Sequence, residues 1–261
     1  MNSVDRLVPR LRRIAMRNLE LAMPELPLQR RREIVDGVFV SLARMMVVFS
    51  RFPRIGPGNV SELIGYEGRE HFDDALRAGK GVLFATGHLG NWELSAFAHA
   101  WLTGPMNVVV RPLDNPLLDA LVTRYRSLSG NRIIEKKDFL RGILRALHEN
   151  QAVGILIDQN AGLDDGIFVD FFGIKAAASP SFAKLAHRTG ACVIPGYAIW
   201  REEEQRYVLH FDSAIRLTGD VTVDTQCLQH HWESVIRKYP DQWLWIHRRW
   251  KTRPRGELSL Y

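Results

Sequence analysis

The sequence has few cysteines and no long apolar run, and these absences exclude several classes of protein. Its 261 residues include 2 cysteines, too few for a disulfide scaffold or a four-cysteine zinc site and consistent with a reducing compartment. The apolar run Met45–Phe49 is soon followed by Arg51 and is far shorter than the roughly 18 residues that span a bilayer. Residues 1–6 also lack an apolar stretch, so we expect no signal peptide.

Acidic residues are scarce near the N-terminus, and this scarcity accounts for the net charge. The whole chain carries +6, and residues 1–60 alone hold 11 arginines against 5 acidic residues. The later residues are balanced in charge. A basic N-terminal segment can bind nucleic acid, an anionic membrane or an acidic partner, and charge alone does not separate these three.

The N-terminal segment has the spacing of two amphipathic helices. Residues 4–22 alternate leucines with arginines at helical spacing, and a second helix is predicted from Leu28 to Arg51. The breakers between Pro53 and Gly58 then interrupt the chain. We therefore predict a basic helical arm over residues 1–58 and a main domain over residues 59–261. The arm either binds a membrane surface or packs on the main domain, and both can hold.

From residue 62 onward, short apolar runs alternate with longer helical stretches, which predicts an α/β fold with a mostly parallel central sheet flanked by helices. The predicted strands cover 82–84, 107–110, 132–134, 153–157, 192–200 and 207–211. The predicted helices cover 91–102, 116–128, 138–149, 181–188 and 222–237.

The loop after the first of these strands is the first candidate site, because sites in open α/β sheets lie beyond the carboxyl ends of strands. Here His88 lies in the loop between Gly87 and Gly90, Asn91 can cap the next helix, and Glu93 falls in its first turn. A histidine that acts as a base needs a carboxylate to orient it and to offset its positive charge. The alternative is a histidine that only hydrogen-bonds within the loop.

A second group of polar residues follows the strand at 153–157. Asp158, Gln159 and Asn160 would lie at the same edge of the sheet, where they could orient the histidine or a substrate. The alternative is a simple turn, which these residue types favour.

Basic and aromatic residues supply two further features. Arg111, Arg124 and Arg126 near strand ends could bind a phosphate, or could be solvated on a helix face. The segment Gln242–Lys251 alternates aromatic and polar residues, as a strand at a membrane interface or a core strand with a charged tail would.

Several kinds of site are not expected. The sequence has no P-loop, no dinucleotide fingerprint and no Gly-x-Ser-x-Gly nucleophile elbow. His230 and His231 are adjacent and would point to different faces of a helix, so no metal site and no cofactor are expected.

Taken together, the ordered motifs resemble the late acyltransferases of bacterial lipid A biosynthesis, a branch of the His-x4-Asp/Glu acyltransferases that also holds the phosphatidylinositol mannoside acyltransferases. The resemblance covers nearly the whole chain. Its motifs are Arg17-Asn18-Leu19, Pro24-Glu25-Leu26, the segment from Gly87 to Glu93, Arg111-Pro112 with Asn115-Pro116, Asp158-Gln159, Phe171-Phe172-Gly173, residues 186–191 and residues 243–254. Many members carry an apolar N-terminal anchor helix, and the printed sequence begins after the place of that helix.

The resemblance implies transfer of an acyl group from a thioester to a hydroxyl of a membrane glycolipid or phospholipid. His88 would be the general base, Glu93 its partner and Asp158 a supporting catalytic residue. Arg126 would bind a phosphate, with Arg124 or Arg111 as substitutes, and Gln159 and Asn91 are further substrate-binding candidates.

The same resemblance implies the partners and the location. The donor would be acyl carrier protein or acyl coenzyme A, and the protein would lie peripherally on the cytoplasmic face of the inner membrane. An anionic membrane surface is the expected partner of the arm, and nucleic acid is not. The rival functions are a thioester hydrolase that uses the same histidine and a non-catalytic protein that binds lipid or nucleic acid.

Overall fold

The computed structural model describes residues 9–135 and 139–261. The helices are α1 (Pro9–Ala22), α2 (Leu28–Ser50), α3 (Val60–Leu63), α4 (Arg69–Arg77), α5 (Trp92–Leu102), α6 (Pro116–Ser127), α7 (Phe139–His148), α8 (Ser181–Thr189) and α9 (Val221–Lys238). The strands are β1 (Ile64–Glu67), β2 (Val82–Thr86), β3 (Asn107–Val110), β4 (Arg132–Glu135), β5 (Ala152–Leu156), β6 (Ile167–Phe171), β7 (Ile174–Ala178), β8 (Cys192–Arg201) and β9 (Arg206–Phe211).

The chain contacts divide it into two compact units. The first unit combines the N-terminal residues up to Leu42 with residues 157–183 and 218–261. The second unit combines residues 43–156 and 184–217. The border at Gly58 between an arm and a main domain stays a prediction.

The second unit contains a seven-stranded sheet in the order β1-β9-β8-β2-β5-β3-β4. Its neighbouring strands are parallel except for the antiparallel pair β8 and β9. Residues 82–85 of the central strand β2 are all buried, because a strand inside a parallel sheet is covered on both faces. The predicted α/β fold with a mostly parallel sheet and flanking helices is therefore confirmed.

Outside residues 242–251, the predicted elements agree with the structure to within one or two residues, and several short elements, among them helix α3, were not predicted. Strand β1 and helix α4 precede the first predicted strand, and β6 and β7 form an antiparallel hairpin. Strand β1 is short, and three of the five residues of the hairpin strand β7 are alanine, so neither has a strong apolar pattern. Two predicted helix starts lie outside the described residues. They are residue 4, for the first helix, and Asp138, for the helix that follows β4.

The first unit contains α1, the start of α2, the β6–β7 hairpin, α9 and the C-terminal segment. Asn18 on α1 is buried, and its side-chain amide donates to the carbonyl oxygens of Trp245 and His247, both at 2.6 Å. The Tyr261 hydroxyl donates to the Asn18 Oδ1 at 2.5 Å. One face of α1 is therefore fixed to the C-terminal segment, whereas Arg10 and Arg13 are exposed.

The tryptophans of the C-terminal segment belong to the core. Trp243, Trp245 and Trp250 are at most 1% exposed and contact the rings of Phe171 and Phe172. The strand prediction for this segment is wrong, because the backbone forms turns here. Of the two environments that the sequence left open for these tryptophans, the membrane interface is wrong and the core is confirmed, since side chains with almost no exposed surface cannot enter a bilayer. Of the helices among the described residues, none is both long and apolar enough to cross a bilayer.

Candidate active site

The loop that carries His88 is fixed by a close approach to strand β8. Gly90 has a left-handed backbone, and a Cβ at this position would lie 1.9 Å from the carbonyl oxygen of Ala198. The same oxygen accepts a hydrogen bond from the Asn91 N–H at 2.8 Å. Only glycine permits both the backbone conformation and the approach, so this glycine sets the path of the loop.

Asn91 turns the loop into helix α5. Its Oδ1 accepts from the Leu94 N–H at 2.9 Å, which is the N-cap predicted from the sequence. Its side chain is buried, and burial also raises the pKa of the nearby Tyr207 to about 12. Asn91 thus positions the start of the helix, and its contact with substrate stays a prediction.

His88 and Glu93 lie on either side of this helix start. His88 is half-buried, and its ring centroid lies 5.1 Å from that of Trp92 in an edge-to-face arrangement. Glu93 lies in the first turn of α5, as predicted. The sequence was therefore correct in placing the histidine in the loop and the acid on the helix. A hydrogen bond between them stays a prediction.

Glu93 forms a bidentate ion pair with Arg126 of α6. The Arg126 Nε donates to Oε2 at 2.8 Å, and Nη2 donates to Oε1 at 2.5 Å. The side chains are 13% and 20% exposed, so the pair is shielded from water. Burial acts to lower the pKa of Arg126, but the hydrogen bond and charge of Glu93 and the charge of Asp119 raise it overall. The guanidinium therefore stays charged and orients the carboxylate.

The other two candidate arginines have different surroundings. Arg124 is two residues before Arg126 and so projects about 200° away from it around α6. Its side chain is exposed. Arg111 is also exposed, with Asp114 3.8 Å away. Of the three arginines, the structure brings Arg126 to Glu93.

An apolar pocket adjoins this ion pair, and its empty space is about 730 Å³ with the open solvent at its mouth included. Glu93, Arg126 and Thr86 form part of its polar lining. The apolar lining comes from α5 and the central strands and includes Phe84, Ala96, Phe97, Met106, Val108, Leu156 and Phe211. A Cβ on Gly154 would approach Met106 Cε at 2.7 Å, and one on Gly196 would approach Phe211 at 3.0 Å, so glycines leave room for these side chains. The pocket suits a hydrocarbon chain whose polar end lies near the ion pair.

His99, a buried residue of the pocket lining, has the half-buried Tyr66 as its polar partner. The Tyr66 hydroxyl lies 2.7 Å from the Nδ1 of His99, and the His99 ring packs edge-to-face against the rings of Phe84 and Phe211. Burial, with a smaller effect of Arg69, lowers the pKa of His99 to about 3, so the ring is neutral at pH 7. Sequence reasoning missed this pair, because a histidine inside a helix has no local signal for its partner on a distant strand.

Comparison with known proteins gives the family. The sequence profile described as bacterial lipid A biosynthesis acyltransferase matches residues 3–252. The chain belongs to the bacterial lipid A biosynthesis acyltransferase family. Its relatives include a lipid A biosynthesis lauroyltransferase from Escherichia coli (strain K12), 30% identical over 98% of this chain and 84% of the relative. A lipid A biosynthesis palmitoleoyltransferase from the same strain is 30% identical over 95% and 81%. A lipid A biosynthesis acyltransferase of Haemophilus influenzae is 26% identical over 95% and 77%.

Membership in this acyltransferase family confirms the predicted resemblance and shows that the protein is an enzyme that transfers acyl groups. The rival hypothesis of a non-catalytic binding protein is therefore wrong. The family match alone leaves the donor and the residue roles as proposals.

Asp158 and Gln159 lie in the first unit of the acyltransferase. Asp158 is buried, and its Oδ2 accepts from the Trp243 Nε1 at 2.8 Å. Its charge also acts on the buried Arg249, whose pKa burial lowers to about 10. Arg249 donates to the Ala177 carbonyl oxygen at 2.7 Å and to Gln229 at 2.9 Å. Asp158 is thus part of a buried polar network, and its catalytic role and the substrate contact of Gln159 stay predictions.

Proposed function

We propose that this acyltransferase moves a fatty acyl group from an acyl thioester to a hydroxyl of a lipid A precursor. One observation carries the proposal: the Glu93–Arg126 ion pair borders an apolar pocket. Glu93 lies in the first turn of α5, and the loop that carries His88 immediately precedes this helix. The pocket would hold the acyl chain, and its thioester carbonyl would lie toward the charged residues.

In the proposed reaction, His88 removes the proton of the acceptor hydroxyl as that oxygen attacks the thioester carbonyl carbon. The C–O bond forms and the C–S bond breaks. The leaving thiolate then takes the proton back from the histidine, so atoms and charge balance. Glu93 accepts a hydrogen bond from His88 and offsets the imidazolium charge.

Arg126 has two roles in this proposal. Its bidentate contact fixes the Glu93 carboxylate, and each carboxylate oxygen can still accept a further hydrogen bond. Its remaining N–H donors and its charge suit an acceptor phosphate. Arg124 and Arg111 would contribute long-range attraction for the same phosphate.

The oxyanion would be held by backbone N–H groups of the His88 loop. The Leu89 N–H already donates to Gly87 and the Asn91 N–H to Ala198. Backbone N–H groups of residues 87–90 are the proposed donors, because this loop lies between the carboxyl end of β2 and the start of α5.

Acyl carrier protein is the proposed donor, with acyl coenzyme A as the second choice. Acyl carrier protein is acidic, and the basic N-terminal helices favour a fast encounter with it. Relatives named for lipid A biosynthesis favour a membrane acceptor, and thioester donors are cytoplasmic. We therefore propose a peripheral position on the cytoplasmic face of the inner membrane, with the basic arm on its anionic surface.

The test combines purified protein with acyl thioesters of increasing chain length and an under-acylated lipid A in detergent. Each chain length is supplied both on acyl carrier protein and on coenzyme A. The expected result is acylated lipid A, with a higher kcat/KM for the carrier-protein donor. Free fatty acid at the same rate with and without acceptor would instead identify a thioester hydrolase. Equal or better use of coenzyme A would contradict the proposed donor.

A further inference from the structure

Helix α6 carries an apolar face that the fold leaves exposed. None of its residues is buried. Leu117 is 82% exposed, and Leu118 and Leu121 are also exposed, as are Leu113 before the helix and Leu128 after it. Single exposed leucines are ordinary, but five within sixteen residues form a continuous surface that requires an explanation.

The leucines are arranged on the side of α6 opposite the ion pair. With about 100° per residue, Leu117, Leu121 and Leu128 fall within an arc of about 40°. Arg126 lies about 180° from Leu117 on the same helix. The inner face of α6 thus reaches Glu93 through Arg126 while the outer face presents leucine side chains to solvent.

Cationic side chains accompany the exposed leucines. Arg124 is exposed and projects about 20° outside the leucine arc, and Arg111 near the start of the helix is also exposed. The acids nearby are Asp114, 3.8 Å from Arg111, and Asp119, which accepts from the Leu113 N–H at 2.8 Å. Arginines beside leucines match an anionic bilayer, because the guanidinium can stay among the headgroups while the leucines enter the acyl region.

We propose that the outer face of α6 inserts into the surface of an anionic lipid bilayer. The proposal rests on the proposed function, because a lipid acceptor must pass from a bilayer to the pocket that Arg126 borders. Insertion of the same helix at the membrane surface would keep that passage short. This surface differs from the basic arm, because its contribution to membrane binding comes from apolar side chains and therefore persists in high salt.

The test measures binding of the full chain to vesicles of phosphatidylglycerol and phosphatidylethanolamine at high salt, where the attraction of exposed charges is screened. The variant is Leu117→Gln/Leu121→Gln, and its matched control is Leu163→Gln/Leu258→Gln, which removes two exposed leucines elsewhere. We expect the α6 variant to lose at least about tenfold in vesicle partitioning, because two inserted leucines are removed. The control should bind like the parent, and Leu117→Met/Leu121→Met should retain binding.

Three results would overturn the proposal. The α6 variant could partition like the parent. The parent could be a lipid-free dimer that the α6 substitutions dissociate, which would make this face a contact between two copies of the chain. Vesicle binding could stay constant while the KM for acyl carrier protein rises, which would assign the face to a protein partner.

Failure of the proposed function gives a different result. All variants are assayed with acceptor dispersed in detergent, where no bilayer is present, and we expect parental turnover. A parent without acyl transfer in that assay contradicts the proposed function, whatever the vesicle measurement shows.

Discussion

In the proposed mechanism, the Glu93 carboxylate has three partners: two N–H groups of Arg126 and one of His88. The two arginine bonds are present in the structure at 2.8 and 2.5 Å. They fix the orientation of the carboxylate and leave lone pairs for the histidine. At the scale of single residues, the proposed mechanism therefore depends on one base, His88, and on the charges around it.

Replacement of the base tests that dependence directly. His88→Ala should lower kcat by about 10²–10⁴, because a general base contributes that much to rate. The fold should persist, since His88 is half-buried in a loop whose path is set by Gly90. Turnover and thermal unfolding are measured beside the exposed control His148→Ala. More than about a tenth of parental turnover in His88→Ala would contradict the assignment.

The charges around the base should shift the pH dependence of kcat/KM in opposite directions. Glu93→Gln removes a negative charge, which weakens proton binding to His88 and moves the acidic limb to lower pH. Arg126→Gln removes a positive charge and moves that limb to higher pH. Glu93→Gln should also lower turnover, though less than His88→Ala. Profiles that coincide with that of the parent would exclude both residues from the surroundings of the base.

At the scale of elements, helix α5 connects the proposed catalytic loop around His88 to the apolar pocket. Asn91 caps its first turn, Glu93 follows, and Ala96 and His99 line the pocket farther along. One helix therefore positions both the charged residues and the proposed acyl site. Substitutions near the start of α5 should therefore change turnover, and substitutions farther along it should change the preferred length of the acyl chain.

Ala96→Leu should shift the preferred acyl chain toward shorter donors. The larger side chain would occupy part of the pocket without altering Glu93, which lies almost one turn earlier. The measurement is kcat/KM for a series of acyl thioesters, with the exposed Ala78→Leu as control. An equal loss for every chain length would show that the pocket does not hold the acyl group.

The buried His99 should make stability fall in acid. Burial lowers its pKa from 6.5 to about 3, so between these values the unfolded chain binds a proton that the folded chain does not. Stability is therefore fully present above pH 6.5 and is lost as the pH falls toward 3. The loss should be on the order of 1–2 kcal/mol by about pH 5. His99→Gln, which retains hydrogen-bonding capacity toward Tyr66, should reduce this slope.

Urea unfolding between pH 7 and 5 measures the slope, and the half-buried His187→Gln serves as control. An unchanged slope in His99→Gln would mean that other groups account for the acid sensitivity.

At the scale of the whole molecule, positive charge is concentrated in the N-terminal residues, and helix α1 carries part of it on an exposed face. Arg12 pairs with Asp36 at 2.7 Å and Arg17 lies 3.3 Å from Glu20, whereas Arg10 and Arg13 are exposed. Removal of residues 1–27 should weaken vesicle binding. It would also remove Asn18 and leave the carbonyl groups that it binds without their partner.

Arg10→Gln/Arg13→Gln tests the charge without that loss of structure. Each basic residue near an anionic surface contributes about 1 kcal/mol, so the pair should lower vesicle affinity by about 30-fold at low salt. The difference should vanish at high salt. Sedimentation with anionic vesicles measures it, with the exposed Arg216→Gln/Arg255→Gln as control. Equal binding of parent and variant at low salt would place the electrostatic contact elsewhere.

The local features of this protein could be predicted from the sequence because short-range rules control them. Apolar runs between helical stretches indicated the strands β2, β3, β4, β5, β8 and β9, and proline and asparagine marked helix starts. The segment from Gly87 to Glu93 indicated a loop followed by a helix start, since its glycines permit a tight turn and Asn91 caps a helix. These signals involve residues only a few positions apart.

Tertiary structure alone decided the partners of those residues. The sequence could not separate Arg126 from Arg124, because only the packing of α6 brings Arg126 to Glu93. The sequence also left open whether Trp243 and Trp245 contact a membrane or the core. The fold buries both tryptophans, whereas it exposes Leu117 and the neighbouring leucines. Apolar residues have the same local pattern whether they contact a core or a membrane. Only contacts between distant segments determine which surface each one meets.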